Sequence, residues 1–475
     1  MSVTRRQLLQ LSVFASVAGS AWPVRANRHD DGDVTTLPVP PLLEARHGQP
    51  LFLTMQACQW SFNGRQTVPT AGLNGQYLGP TIRVHDQSYV KLIYSNRLSE
   101  PVAMTISGLQ VAGALSGGGA RIISPSIDWS PVLQISQPAT TCWYHASTPG
   151  KMARQVYSGL AGMWIIDDEQ SQTLPLPHHY GVDDFPLIIQ DKRLDNFGHA
   201  IYQDDAEGFL GNTLLVNGVQ SPTLNVARGF IRFRLVNASS RRYYQLTTSD
   251  HRPFIVIAGD QGFLPSPVPT TTLGIAPGER REVLIDLSDG KPLFISAGES
   301  ADLAERIRGI FGSSTVLTST RVVTLNPTGL IPLVTDSLLK HLVPAITAGQ
   351  AVRSRLIKLG NAATGINGQH WQAERIDITA QQASFEQWII ETEQPQPFFI
   401  TGAKFLVKAV NGAPPLMEDR GWKDCVWVDG RVELLVNFPN TASAHFPLSY
   451  GSQNLDLADS GVIGQLSVQP SVNVG

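Results

Sequence analysis

Three times along this chain an Asn-Gly pair opens onto an extended segment. The phrases are LNGQYLGPTIRV from Leu73, VNGVQSPTLNV from Val216 and INGQHWQAERIDI from Ile366. Their asparagines, Asn74, Asn217 and Asn367, lie 143 and 150 residues apart. Asn-Gly signals a tight turn because both residues tolerate positive φ. Each phrase leads into a strand-like run: YVKLIYSN from Tyr89, FIRFRLVN from Phe230 and FEQWIIET from Phe385. In the second run, Phe230, Arg232 and Arg234 alternate with Ile231, Phe233 and Leu235, the pattern of a strand with one buried face. A further pair, PGERREVLIDL from Pro277 and DGRVELLVNF from Asp429, recurs in the same order. Two separate phrases repeating in order mark an internal repeat. A chain of 475 residues exceeds one ordinary core, and its 42 glycines and 32 prolines suit many turns. The expectation is an all-β protein of three Greek-key β-sandwich domains, at 42–168, 184–327 and 353–470. LPLPHHYG (174–181) reads as a linker, and ADLAERIRGIFG (301–312) as a short amphipathic helix that packs.

The N-terminus reads as a targeting segment over 1–26. Arg5 and Arg6 precede a mildly apolar run from Leu8 to Ala21, and Val24–Ala26 offers a small-residue cleavage site. The paired arginines resemble a twin-arginine (Tat) signal, and Arg25 beside the cleavage site favours that reading over an ordinary Sec signal. The run is too short and weak for a membrane span, and no later segment is long enough. Removing 1–26 leaves 33 basic against 39 acidic side chains, with no long basic run, which argues against nucleic acid. The three cysteines, Cys58, Cys142 and Cys425, form no CxxC pair, so a zinc knuckle or dithiol redox site is not expected.

The stretch QPATTCWYHASTPGKMARQVYSGLAGMWIIDDE (137–169), with the three repeats, resembles the multicopper oxidases, whose domains are cupredoxin-like (plastocyanin-like). The resemblance implies four ligand motifs. At the first, His-x-His-Gly, this chain reads MTISG, with Thr105 and Ser107 at the histidine positions. At the second it keeps His145 and has Ser147 for the partner histidine. At the third, His-Pro-x-His-x-His-Gly, it reads QPFFITG, with Gln396, Phe399 and Thr401 at the three histidines, and Pro397 and Gly402 retained. The fourth, His-Cys-His followed by a histidine and a methionine, is aligned on His445, with Phe446 at the cysteine and Pro447 at the next histidine. A blue-copper site needs a thiolate with two imidazoles, and no cysteine follows Cys425. His145 and His445 are therefore read as core histidines, with no metal, cofactor or catalytic residue expected. Phe399 and Phe446 are read as volume fillers.

Over nearly its whole length the chain resembles a copper-free, cell-division branch of that superfamily. The resemblance rests on LPVPPLLEARHGQPLF (37–52), HYGVDDFPLIIQDKRLDNFG (179–198), NTLLVNGVQSP (212–222), GDQGFLPSPV (259–268), APGERREVLIDL (276–287) and RGWKDCVWVDG (420–430). None of these belongs to copper chemistry. The resemblance implies a non-catalytic periplasmic protein at the division septum that stabilises or protects the divisome under stress, with divisome proteins as partners. Sandwiches join strands far apart in sequence and fold slowly, which suits the Tat translocase, since it exports folded chains. The competing readings are a divergent oxidase using His145, His445 and an acid, and a periplasmic metal-binding module.

Overall fold

In a computed structural model, residues 35–64, 66–195, 198–203, 208–298, 317–329 and 340–471 are described. The targeting segment 1–26, the helix expected at 301–312 and the connector residues 330–339 lie outside them.

Each Asn-Gly phrase builds the same local structure. Asn74, Asn217 and Asn367 adopt φ of 56°, 49° and 53°. This left-handed conformation is costly for most residues and accessible to asparagine. Each side-chain carbonyl accepts a backbone N–H from an earlier strand: Thr54, Ile188 and Lys358, at 2.7–2.8 Å. Each asparagine N–H donates to the carbonyl of that same residue. In the second and third units Gly218 and Gly368 also have positive φ, and paired backbone bonds close a two-residue hairpin between Val216 and Val219 and between Ile366 and Gln369.

The strands around these turns pair alike in all three units. The first long strand runs parallel to the strand that follows the phrase: Leu51–Trp60 with Tyr89–Asn96, Asp184–Leu194 with Phe230–Asn237, and Arg353–Leu359 with Phe385–Thr392. The short strand leaving the turn runs parallel to the unit's last strand: Thr81–His85 with Ala161–Asp167, Thr223–Val226 with Arg321–Pro327, and Ile378–Gln381 with Ile463–Gln469. Parallel neighbours so far apart in sequence need crossovers, and here these pass between two stacked sheets. Each unit pairs two sheets over a separate apolar core. The first encloses Leu53, Tyr94, Met104 and Trp164, the second Leu187, Phe233, Leu246 and Val323, and the third Trp388, Phe398, Leu434 and Tyr450.

One expectation is overturned. All eight residues of Phe230–Asn237 are buried, including Arg232 and Arg234. Its outer face is covered by the first unit at Arg234 and by the linker at Arg232 and Phe230. The Arg234 guanidinium donates to Asp184, to Glu282 and to Thr141 of the neighbouring unit. The alternation of charge and apolarity separates two buried faces, one apolar and one ionic.

Candidate functional site

Thr105 and Ser107 lie on the strand Val102–Ser107, and His145 on Thr140–Ala146, with Ser147 just beyond it. The strands are antiparallel, with His145 opposite Thr105 and Trp143 opposite Ser107. All five side chains are buried. His145 stacks on Trp143 with ring centroids 3.9 Å apart. Its Nδ1 lies 2.9 Å from the Ala146 carbonyl, which can only accept, so Nδ1 carries the proton. Its Nε2, 2.9 Å from Ser107 Oγ, is then the acceptor of the serine hydroxyl. Burial lowers the His145 pKa to about 4, opposed by the Ala146 bond and reinforced by Arg280, so the ring is neutral at pH 7. Both ring nitrogens are thus engaged by the protein. Thr105 donates to the Ser116 carbonyl, while the buried Ser147 hydroxyl has no hydrogen-bond partner among the described residues.

Gln396 and Phe399 lie on Gln396–Ile400, with Thr401 at its end. The Gln396 amide donates to the Gly360 carbonyl and to Thr392 Oγ1. Thr401 Oγ1 accepts the Ser449 N–H and donates to the Ser449 carbonyl. Phe399 is buried. Thr105 and Gly402 line one cavity of about 10 Å³, so the motif-bearing faces of the first and third units do meet. The space is about one water in size.

Strand pairing corrects the expectation for His445, Phe446 and Pro447. His445 is exposed, and Phe446 and Pro447 are partly buried in the bends before the next strand. Phe446 does not fill an interior: its ring lies under the Arg121 guanidinium of the first unit, 4.0 Å from the centroid. Gln396–Ile400 is hydrogen-bonded on one side to Cys425–Val428 and on the other to Leu448–Ser452, with Phe399 opposite Cys425 and Gly451. Ligands from two segments share an ion only when those segments are adjacent. Of the chain after Cys425–Val428, the segment beside the third motif is therefore Leu448–Ser452 and not the bend that holds His445. Ser452 is buried, and no thiol, imidazole or thioether follows His445 in the sequence. A lone histidine misleads as an anchor here. The strand that adjoins the third motif is marked instead by the largely buried run LSYGS, followed by the short helix Leu455–Asp459.

The chemistry of this donor set does not fit copper. Of the aligned positions only His145 is an imidazole, and Ser107 and Ala146 hold both its nitrogens. Among the described residues no cluster of three or more His, Cys, Asp or Glu side chains is arranged to hold a metal ion.

Beside these positions lies a buried ionic network that joins all three units. Arg280, fully buried, donates to both carboxylate oxygens of Asp424 at 2.6–2.7 Å, to the Asp260 carbonyl and to the Thr141 carbonyl. Gln261 bridges Gln110, the Gly108 carbonyl and Asp424. Lys423 pairs with Asp260 and Glu279 at 2.9–3.0 Å. Burial pushes the Glu282 carboxyl up, but Arg232 and Arg234 outweigh it and leave its pKa at about 2. A Cβ on Gly108, whose φ is +98°, would come within 2.7 Å of Arg280 and 2.8 Å of Cys142 Sγ. The glycine retained from the first motif therefore now admits a guanidinium.

Models of the multicopper oxidase family match residues 54–171 and 187–307. The chain is similar to the cell division protein FtsP of Escherichia coli (strain K12), with 57% identity over 472 residues, covering 99% of this chain and 100% of that one. It is 56% identical to FtsP of Rahnella sp. (strain Y9602) over 474 residues, covering 99% of this chain and 100% of that one. Among solved structures it is similar to the laccase-like multicopper oxidase CueO of Ochrobactrum sp., with a TM-score of 0.83 and 32% identity, covering 91% of this chain and 100% of that one. A laccase from Pediococcus acidilactici Pa5930 superposes with a TM-score of 0.82 and 26% identity, covering 92% and 94% of the two chains.

Proposed function

The chain belongs to the FtsP family of cell division proteins, within the multicopper oxidase superfamily, and from that premise we propose that it serves division without catalysis. The role is to hold or shield components of the division machinery at the septum, particularly under envelope stress, through protein contacts. Its partners are division proteins, its compartment the periplasm, and its route there the Tat translocase. The observation that carries the division role is identity of 56–57% across 99% of the chain to proteins of that name. The non-catalytic part is supported by the donor set: hydroxyls, an amide and apolar groups stand at the ligand positions, and the remaining imidazole is saturated by the fold. No helix among the described residues is long and apolar enough to cross a membrane.

A deletion strain tests the reading directly. It is expected to filament or lyse under envelope stress, and a tagged copy to gather at midcell. Complementation by His145→Gln is expected to match the wild-type chain, since no step runs through that ring. Normal division of the deletion strain under stress, with the tag spread evenly, would count against the role. Loss of complementation by a folded His145→Gln protein would count against its non-catalytic nature.

A further inference from the structure

A cleft of about 830 Å³ opens where the three units meet. That volume is near the upper end of the ~300–1,000 Å³ usual for binding sites. One wall is the exposed side of the helix Met152–Ser158, which, with the residue preceding it, presents Lys151, Arg154 and Tyr157 at a spacing of three. Facing it are Lys192 of the second unit and Asp456 and Asp459 of the third.

The acids of this cleft are already engaged. Asp456 accepts the Tyr202 and Ser240 hydroxyls and the Phe209 N–H. Asp459 accepts the Met152 and Ala153 N–H groups at 2.8–2.9 Å. Glu100 pairs with Lys151 at 3.1 Å. The cations are not matched in the same way. The exposed Arg154 guanidinium has no hydrogen bond or ion pair among the described residues. Lys192 is 1% exposed, and among the described residues its ammonium has one hydrogen-bond acceptor, the Tyr157 carbonyl. Three rings surround it: Tyr157 at 3.7 Å, Phe62 at 5.0 Å and Tyr77 at 5.1 Å. Aromatic faces attract a cation but do not replace a carboxylate. The cleft therefore offers two cations with donor capacity to spare, beside apolar ring surface and the hydroxyls of Thr70, Ser158 and Ser460.

We propose that this cleft binds an acidic peptide segment of a partner protein, with a carboxylate set between Arg154 and Lys192 and an apolar side chain against the partly exposed Tyr157 ring. This deepens the reading of the chain as a division scaffold and rests on it for the identity of the partner as a protein. Ring surface beside two cations that lack a carboxylate partner among the described residues favours a peptide over an anionic membrane, which would call for a broad basic face. Burial holds the Lys192 ammonium down at about 7, opposed by Asp191, and an incoming carboxylate would favour its charged form.

The test uses the full mature chain and fluorescence anisotropy. The probes are an alternating glutamate–phenylalanine octapeptide, the same peptide with glutamine for glutamate, and phosphatidylglycerol vesicles. The glutamate peptide is expected to bind at least about tenfold more tightly than the glutamine peptide. Arg154→Glu, at an exposed position, is expected to abolish that difference without changing Tm, and Lys192→Met to reduce it. Equal binding of the two peptides, a preference unchanged by Arg154→Glu, or binding to the vesicles alone would overturn the proposal. Those failures would leave the division role standing. A wild-type chain that binds the peptide as expected but never reaches midcell would sink the division role and leave the cleft's chemistry intact.

Discussion

At the scale of single residues, His145 shows how a ligand becomes a structural group. Its ring is stacked, buried and hydrogen-bonded at both nitrogens. Protonation would place a charge in a low-dielectric interior and break the bond that Nε2 accepts from Ser107. The folded pKa, about 4, lies below the ordinary 6.5, so between these values the unfolded chain binds the proton and the native chain does not. The residue's contribution to stability is full above about pH 6.5 and is lost as pH falls through about 4, a total of roughly 3 kcal/mol. Urea titrations should show wild type losing about that much more stability than His145→Gln between pH 7 and pH 4, and parallel stability curves would refute the assignment. The retained histidine, the paired serine and the missing thiolate are all legible in the residue order. The ring's two partners are not, because they depend on the antiparallel register that sets His145 beside Ser107.

At the scale of strands and turns, the repeat in the sequence is a repeat in hydrogen bonding. Each Asn-Gly phrase marks a left-handed asparagine tied to the unit's first long strand. Asn217 also donates to the Pro38 and Pro186 carbonyls. Asn217→Ala should therefore cost about 2–4 kcal/mol, from backbone strain together with lost buried bonds. Asn217→Gly should recover the strain and not the bonds, and chemical denaturation of both variants separates the two contributions. The turns and strand limits could be read from local residues because turn chemistry and strand patterning are local. Two features could not. Phe230–Asn237 alternates like a half-exposed strand, yet both faces are covered, since burial of Arg232 and Arg234 depends on Glu282, Asp184 and a neighbouring unit. His445 is a poor guide to the fourth motif, because it lies in a bend, whereas the third motif's Phe399 is opposite Gly451 in the neighbouring strand. Once its ligands are gone, a motif is recognised by strand adjacency rather than residue type.

At the scale of the whole molecule, ionic contacts now lie where the units converge. The Arg280–Asp424 pair and the links through Gln261 tie the second unit to the first and third. Removing one partner leaves a buried charge uncompensated, so Arg280→Met should cost about 3–5 kcal/mol and separate the thermal unfolding of the units into more than one transition. Arg280→Met with Asp424→Leu should regain much of that loss, and a calorimetric double-mutant cycle measures the coupling. A molecule held together in this way presents its surfaces in a fixed arrangement, as a scaffold requires. The central claim is that it does so without a metal. Copper analysis of the full mature chain after reconstitution and desalting tests this most directly: the account predicts no more than about 0.1 equivalents per chain, and about one equivalent or more of tightly held copper would contradict it.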